Sequence, residues 1–428
     1  MRILTISLNA WNDTMATGNT FSNFFKNLKP EDQIANIYCR DENINNKICK
    51  LYFKVTERDQ IIKIFDKSHC GSVFKYSHVS LLNTPKKYKS NNLKQILFGL
   101  LQKIRPSILL YIREFLWDMN IWKSQCLFDF LKDFHPDIIY MHGHNNIYMH
   151  KLLWYCQKVT NAKVAVFFGD DMYNDKGETF LKKKYHKRYQ KQLEFTINNA
   201  NILFGGSPKL VEEYGSIFGR QFNLLIKSCD SFSLCKDKNT SCPITLMYAG
   251  NLLYGRDSVL KDVANIIQLI NKDRVIFQMH IYSASYTDTK TKKILNDGIN
   301  SFLHAPKNFS EICHLLNQTD LALFVESFDE RYKKQTRLSF STKIIDYFQA
   351  DTAILTYGPA DVSSIDYLLH SKVSFTATSF DELKEVLNSI KDDTQIINKM
   401  RHMKQVYAKS HHAESILVEK LRELVISN

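Results

Sequence analysis

Short, unbroken apolar runs alternate along this chain with longer stretches whose apolar residues recur at helical spacing. RILTISL, with several β-branched members, leads through a polar loop containing Gly18 to the helical pattern TFSNFFKNL at 20–28. The strand-then-helix unit returns at DIIYM (137–141), KVAVFF (163–168) and NILFGG (201–206). The last of these runs into SPKLVEEYGSIFG, where Ser207 suits an N-cap and Pro208 the first helical position. Unbroken apolar strands need cover on both faces, which amphipathic helices supply, so the pattern predicts a parallel sheet in an α/β domain.

At 229–243 the periodicity stops, and CDSFSLCKDKNTSCP gathers Ser, Asp, Lys, Asn and Pro as a linker would. The pattern then restarts with ITLMYAG, a helix near 257–270, VIFQMHIYS, a helix near 309–318, DLALFVE, a helix at 342–349, AILTYG and a strand near 372–376. We therefore expect two Rossmann-like parallel-sheet domains, 1–228 and 244–410, joined by the 229–243 linker, with ligands bound at the carboxyl ends of the strands in an inter-domain cleft. AESILVEKLRELVI, within 411–428, reads as an amphipathic helix that docks back on the first domain or lies on the surface.

The length of 428 residues agrees with two cores rather than one. A formal charge of +13 points to an anionic partner, with nucleic acid, phospholipid headgroups and nucleotide phosphates all qualifying. Nine cysteines without a CxxC pair signal neither a disulfide framework nor a zinc knuckle, and are read as reduced thiols in a cytoplasmic protein. MRILTISLN reads as a first strand and not as a leader, and SILLYI at 107–112 is too short to span a bilayer.

The stretch FSTKIIDYFQADTAILTYGP (340–359) carries the most chemistry. Ser341 and Thr342 can cap a helix whose first-turn N–H groups attract an anion, and Lys343 adds a full charge there. Asp346, one turn on, is placed to accept hydrogen bonds from a ribose diol, the plain alternative being an exposed Lys–Asp pair. This stretch resembles the donor segment of sugar transferases with the glycosyltransferase-B fold, in particular retaining family 4 enzymes of polysaccharide assembly. Their Lys-Leu-x-Glu-Tyr-x-Ala-x-Gly-x-Pro pattern is echoed by Lys343, Asp346, Tyr347, Ala350 and Gly358. The departures are Asp for Glu, Asp351 and Thr352 for the Gly and its neighbour, and Leu338 where the upstream Glu would fall, with Glu326, Asp329 or Glu330 as substitutes.

A second echo is YAGNLLYGRDSVL at 248–260, where the family's Gly-Arg pair and following Lys become Gly250, Asn251 and Arg256. The resemblance implies that these residues grip a donor diphosphate, Arg256 most strongly because guanidinium–phosphate bonds are charge-assisted and bidentate. HIYSASY and NSFLHAPKNFSEICHLLNQTDLALFVES follow in the family's order, so the likeness covers most of 244–390. In the first domain, Gly18 and Asn19 correspond to a glycine loop near donor phosphate and acceptor, before a helix. His142 and His144 follow a strand end, and Asp170 and Asp171 follow the next, as candidates to contact the sugar or to hold and deprotonate the acceptor hydroxyl.

From Lys67 to Arg113 there is no Asp or Glu among nine cations, and QILFGLL and SILLYI interleave with them; KKKYHKRYQK at 182–191 adds a second cluster. Such segments suit an anionic bilayer surface, whereas no nucleic-acid module accompanies them. The resemblance implies a glycosyltransferase moving a sugar from a nucleotide diphosphate, with a UDP-sugar as first expectation, to a saccharide or lipid-linked oligosaccharide. Capsule, exopolysaccharide or cell-wall glycan assembly is the setting it suggests. It further implies retention, no obligatory cofactor or metal, and a cytoplasmic site at the inner face of the membrane. The rival readings are a sugar-nucleotide epimerase of the same fold and a non-catalytic membrane- or nucleic-acid-binding protein.

Overall fold

In the computed structural model the described residues are 1–63, 69–76, 106–174, 179–233, 237–240, 242–285 and 287–427. The chain forms two compact units. The first comprises Met1–Gly206, Val211–Leu225 and Ser415–Asn428, and the second Ser207–Leu210 and Ile226–Glu414. Lys67, Lys86, Lys87, Lys89, Lys94, Lys103, Arg105 and the QILFGLL run lie outside the described residues.

The first unit is built on an eight-stranded sheet: β1 (Arg2–Ser7), β2 (Gln33–Tyr38), β3 (Leu51–Lys54), β4 (Ser72–Lys75), β5 (Ile138–His142), β6 (Lys163–Phe168), β7 (Ile202–Gly205) and β8 (Asn223–Leu224). Their order is β4-β3-β2-β1-β5-β6-β7-β8, parallel throughout except the antiparallel β3–β4 pair at one edge. In β1, β5 and β6 nearly every residue is buried, the two-sided burial that unbroken apolar runs imply. The terminal helix Leu417–Ile426 belongs to this unit. Leu417, Val418 and Leu421 pack into its core with Phe21, Phe24 and Phe167, and Arg422 donates to Asp32 at 2.6 Å.

The second unit has a six-stranded, wholly parallel sheet: β9 (Ile244–Ala249), β10 (Phe277–Tyr282), β11 (Ser301–His304), β12 (Leu321–Val325), β13 (Ala353–Tyr357) and β14 (Phe375–Ala377), in the order β11-β10-β9-β12-β13-β14. Residues of 229–243 are bound to this unit, Cys229 N donating to His412 O at 2.7 Å and Ser233 N to Gln349 O at 3.1 Å. The strand expected near 372–376 starts at Phe375, because Lys372 in a left-handed conformation first ends the helix Ser363–Ser371. In each sheet the order reverses beside the first strand of the unit, at β1/β5 and at β9/β12. In open α/β sheets that reversal point, at the carboxyl ends of the strands, is where ligands bind.

Candidate functional site

In the second unit, Gly250 and Asn251 follow β9, Glu326 follows β12, Arg256 opens the helix Arg256–Ile270, and Lys343 opens the helix Lys343–Gln349. The topology thus carries all five to the reversal point. Arg256 Nη2 donates to both carboxylate oxygens of Glu326, at 2.9 and 3.1 Å, and Nη1 donates to Asn251 Oδ1 at 3.1 Å. Glu326 is 3% exposed. Burial works against the Arg256 charge, but the carboxylate outweighs it and raises the guanidinium pKa.

Lys343 lies on the other side of the β9 end. Its Nζ stands 4.6 Å from the centre of the Tyr248 ring and donates to Tyr248 Oη at 3.4 Å. Tyr248 in turn donates to Asn251 O at 2.5 Å. Gly250, with φ of 151°, makes this approach possible, since a Cβ there would fall 2.1 Å from Lys343 Nζ. Desolvation, and then the Arg256 charge, lower the Lys343 pKa to about 8. Arg256 and Lys343 thus flank the Gly250–Asn251 loop, both largely out of water, an arrangement that suits an anion. Gly250→Ala is accordingly expected to push Lys343 aside and weaken diphosphate binding about tenfold. An alanine is also strained at a φ of 151°, so the melting temperature should fall as well; calorimetric titration with UDP beside a thermal melt checks both.

Loop 250–255 is held in an uncommon shape, with Tyr254 at φ 60° and Gly255 at φ 72°, both left-handed. Gly255 is the N-cap of the helix Arg256–Ile270. A Cβ on Gly255 would meet Ser327 Oγ at 2.5 Å, so the loop after β9 lies against the loop after β12. Gly358 makes a like approach: its Cβ would meet Glu326 O at 3.0 Å.

The helix that starts at Lys343 differs from expectation at its cap. Thr342 is the N-cap with helical dihedrals and makes no side-chain cap bond, and Ser341 N instead donates to Ser364 Oγ at 2.9 Å. The far end of that helix is fixed by the buried Lys404, whose Nζ donates to Tyr347 O and Thr352 O, both at 2.7 Å, and to Ala350 O. Asp346 projects from the helix toward Lys227, with Nζ–Oδ1 at 3.5 Å, and burial raises its pKa against the opposing lysine.

Lys227 is not among the residues the sequence pointed to, and Glu326 is one of three acids left open there. The signal for Glu326 was its place directly after the apolar run LALFV. Its rivals lie elsewhere: Asp329 caps the helix Glu330–Thr336 and pairs with Arg331, and Glu330 pairs with Lys333.

The first unit gathers a different set. His142 ends β5, and its ring is held between Phe21 (5.6 Å) and Phe167 (5.0 Å). His144 follows after Gly143, its ring 5.6 Å from that of His142. Desolvation depresses His142 to about 4, and desolvation with the neighbouring imidazole depresses His144 to about 3, so both are neutral at pH 7. His142 Nδ1 and His144 Nε2 are buried and accept or donate no hydrogen bond among the described residues.

Asp170 is exposed after β6, whereas Asp171 organises its own loop. Asp171 Oδ1 accepts from Tyr173 N and Asn174 N at 3.2 Å each and from Tyr214 Oη at 3.1 Å. Gly18 and Asn19 do not precede a helix. They lie in the first turn of Ala16–Phe24, which starts four residues earlier than the apolar spacing suggested. Gly18 is needed there because a Cβ would fall 2.1 Å from Asn12 O. Among the described residues no cluster of three His, Cys, Asp or Glu side chains is disposed to hold a metal ion.

No protein-family model and no curated protein sequence matches the chain. Solved structures do. A sucrose-phosphate synthase from Thermosynechococcus elongatus superposes with a TM-score of 0.60 at 8% identity, over 99% of this chain and 98% of that one. An alpha,alpha-trehalose-phosphate synthase (UDP-forming) from Burkholderia xenovorans, in complex with glucose-6-phosphate, gives 0.59 at 11% identity, over 99% and 100%. A structure described as trehalose-6-phosphate from E. coli bound with UDP-2-fluoro glucose gives 0.58 at 8% identity, over the whole of both chains. With its two parallel-sheet units, the chain has the glycosyltransferase-B fold.

Proposed function

We propose that the protein is a glycosyltransferase that moves a sugar from a nucleotide diphosphate, a UDP-sugar, to a saccharide acceptor. The observation that carries this reading is the convergence of Arg256 and Lys343 on the loop at Gly250–Asn251, where the strand order of the second sheet reverses. Sugar transfer leaves a diphosphate with growing negative charge, and two fixed, desolvated cations stabilise it more as the bond breaks than before. Glu326 takes a positioning role, fixing the plane of the Arg256 guanidinium through both its oxygens. Asp346 is the group for the ribose hydroxyls, with Gly250, Asn251, Ser341 and Thr342 lining the donor phosphates and sugar.

In the first unit, His144 is assigned to the transferring sugar and Asp170 to the acceptor hydroxyl; Asp171, engaged by its own loop, shapes the site instead. Gly18 and Asn19 border it. Retention of configuration, independence from metal, a lipid-linked acceptor in surface-glycan assembly and attachment to the inner face of the membrane complete the proposal. The neighbours that carry UDP-2-fluoro glucose and glucose-6-phosphate support a nucleotide-sugar donor with a sugar acceptor.

A ligand that binds only the folded state raises apparent stability. UDP at 100 times its dissociation constant should therefore raise stability by about 2.7 kcal/mol, seen as an upward melting shift that inorganic phosphate does not reproduce. Release of UDP from a UDP-sugar only when a saccharide acceptor is supplied distinguishes transfer from epimerisation. No shift with any nucleoside diphosphate would remove the donor assignment.

A further inference from the structure

The helix Pro106–Asp118 buries Trp117 completely, yet its other face is not polar. Its charged Glu114 is 1% exposed and accepts from Tyr185 Oη at 2.8 Å, and Arg113 reaches inward to Asn146 Oδ1 at 2.5 Å. Its outward face is apolar: Ile108 is 39% exposed, Leu109 40%, Ile112 57% and Phe115 69%. At positions 108, 112 and 115 these residues form one stripe along the helix. Single exposed apolar residues are ordinary, but a stripe of three along one helix is not, and its charged neighbours lie off it, Glu114 buried and Asp118 at the helix end paired with Lys151.

The neighbouring helix Phe180–Asn199 lies alongside. Tyr111 Oη donates to Leu181 O at 3.1 Å, the Tyr111 and Tyr185 rings are 6.1 Å apart, and Arg188 stands 3.9 Å from Asp118. The residues of this second helix that share the Arg188 side, at four- and three-residue spacing, are Lys184 and Lys191, both exposed. Phe180, at the start of the same helix, is 80% exposed. An apolar stripe is therefore flanked on one side by a row of cations.

We propose that this two-helix face is where the protein docks on an anionic lipid bilayer, Ile108, Ile112 and Phe115 entering the acyl boundary and Lys184, Arg188 and Lys191 meeting the headgroups. Charge complementarity selects this occupant. A second copy of a chain of charge +13 would bring like charge to the same row, whereas an acidic surface answers both the apolar stripe and the cations. The proposal locates the membrane partner named above and rests on that part of the reading only; it does not depend on the donor site. Among the described residues no helix is long and apolar enough to cross a membrane, and this face would hold the protein on one leaflet.

Flotation of the purified full-length chain with phosphatidylcholine vesicles, with and without phosphatidylglycerol, tests it. The parent should float with the anionic vesicles and lose binding as salt is raised. Ile112→Ser with Phe115→Ser should lower the bound fraction at least ~10-fold. Lys184→Glu with Lys191→Glu should do so on anionic vesicles while leaving the residual binding to neutral ones unchanged. These positions are exposed, so both variants should keep the parent's melting temperature and UDP-induced shift. A loss of flotation with the parent's melting temperature intact would support the surface whatever becomes of the donor reading. Three results would overturn it: no flotation of the parent, flotation of both variants like the parent, or an apolar variant that floats normally but sediments as a smaller species, which would assign the face to a second copy.

Discussion

Replacing Arg256 by alanine is expected to reduce UDP affinity at least ~100-fold and also to lower the melting temperature of the protein. The two effects have separate causes. The guanidinium is the strongest candidate for charge-assisted bonds to the diphosphate, and losing bonds of this kind costs roughly 1.5–3 kcal/mol each. The same group is also the partner of Glu326, which is 3% exposed and accepts from it through both oxygens. Stripped of Arg256, that carboxylate is a buried charge without compensation, a change that destabilises by roughly 3–5 kcal/mol. Loss of activity in R256A alone therefore mixes donor binding with folding. The variant R256Q/E326Q separates them, because removing both charges relieves the uncompensated carboxylate. Its melting temperature should recover most of the loss while UDP binding stays weak. If UDP still binds R256Q/E326Q as it binds the parent, Arg256 does not hold the diphosphate.

The fold was legible where burial on both faces of a sheet leaves its mark on the sequence. VAVFF, LALFV and AILTY are unbroken because helices cover both faces, and each became a parallel strand. Strand β2, QIANIY, was missed for the opposite reason. Asn36 interrupts the run, yet it is fully buried, its Nδ2 donating to Thr5 Oγ1 at 2.8 Å and Ser7 Oγ at 3.0 Å. A polar residue satisfied by a neighbouring strand cannot be told from a loop residue until the partner is known. The start of the first helix was misplaced likewise, since Gly18 reads as a breaker and only the Asn12 backbone pressed against it explains a helical glycine.

The candidate site divides along the same line. Gly250, Asn251 and Arg256 were selected from the loop and helix that follow an apolar strand, and Lys343 with Asp346 from a helix start and its next turn, each group short enough to read locally and to match the family's order. Lys227 was not named and Glu326 could not be singled out from Asp329 and Glu330, because their meaning comes from partners 119 and 70 positions away, Asp346 and Arg256 respectively. The helix Pro106–Asp118 shows the limit of periodicity most plainly. SILLYIREFLWD has the apolar spacing of an ordinary core helix, and no count of its residues says that Glu114 turns inward while Phe115 turns out.

Lys343 allows a test that a surface lysine would fail, because its charge is costly to the empty protein and useful to the loaded one. Its pKa stands at about 8 against a reference of 10.5. The unfolded chain thus holds a proton that the folded chain has lost at pH between about 8 and 10.5, and stability from this group rises with pH across that window. Below pH 8 the folded protein must keep a desolvated ammonium beside Arg256, and the penalty is about 3 kcal/mol. Lys343→Met is therefore expected to melt at a higher temperature than the parent at pH 7, with the difference shrinking as pH rises toward 10. UDP binding should move the other way. The bound diphosphate holds Lys343 protonated, so affinity in the parent should be flat from pH 7 to 8 and then fall about tenfold per unit, with proton uptake on binding detectable by titration in buffers of different ionisation enthalpy. In Lys343→Met the affinity should be lower at least ~100-fold at pH 7, and that particular fall above pH 8 should vanish. A variant that is more stable and binds UDP less tightly is the signature of a residue retained for its ligand and not for its fold. If instead Lys343→Met melts lower at pH 7 and binds UDP unchanged, the lysine is a structural partner of Tyr248 and the pair of cations is not a diphosphate site.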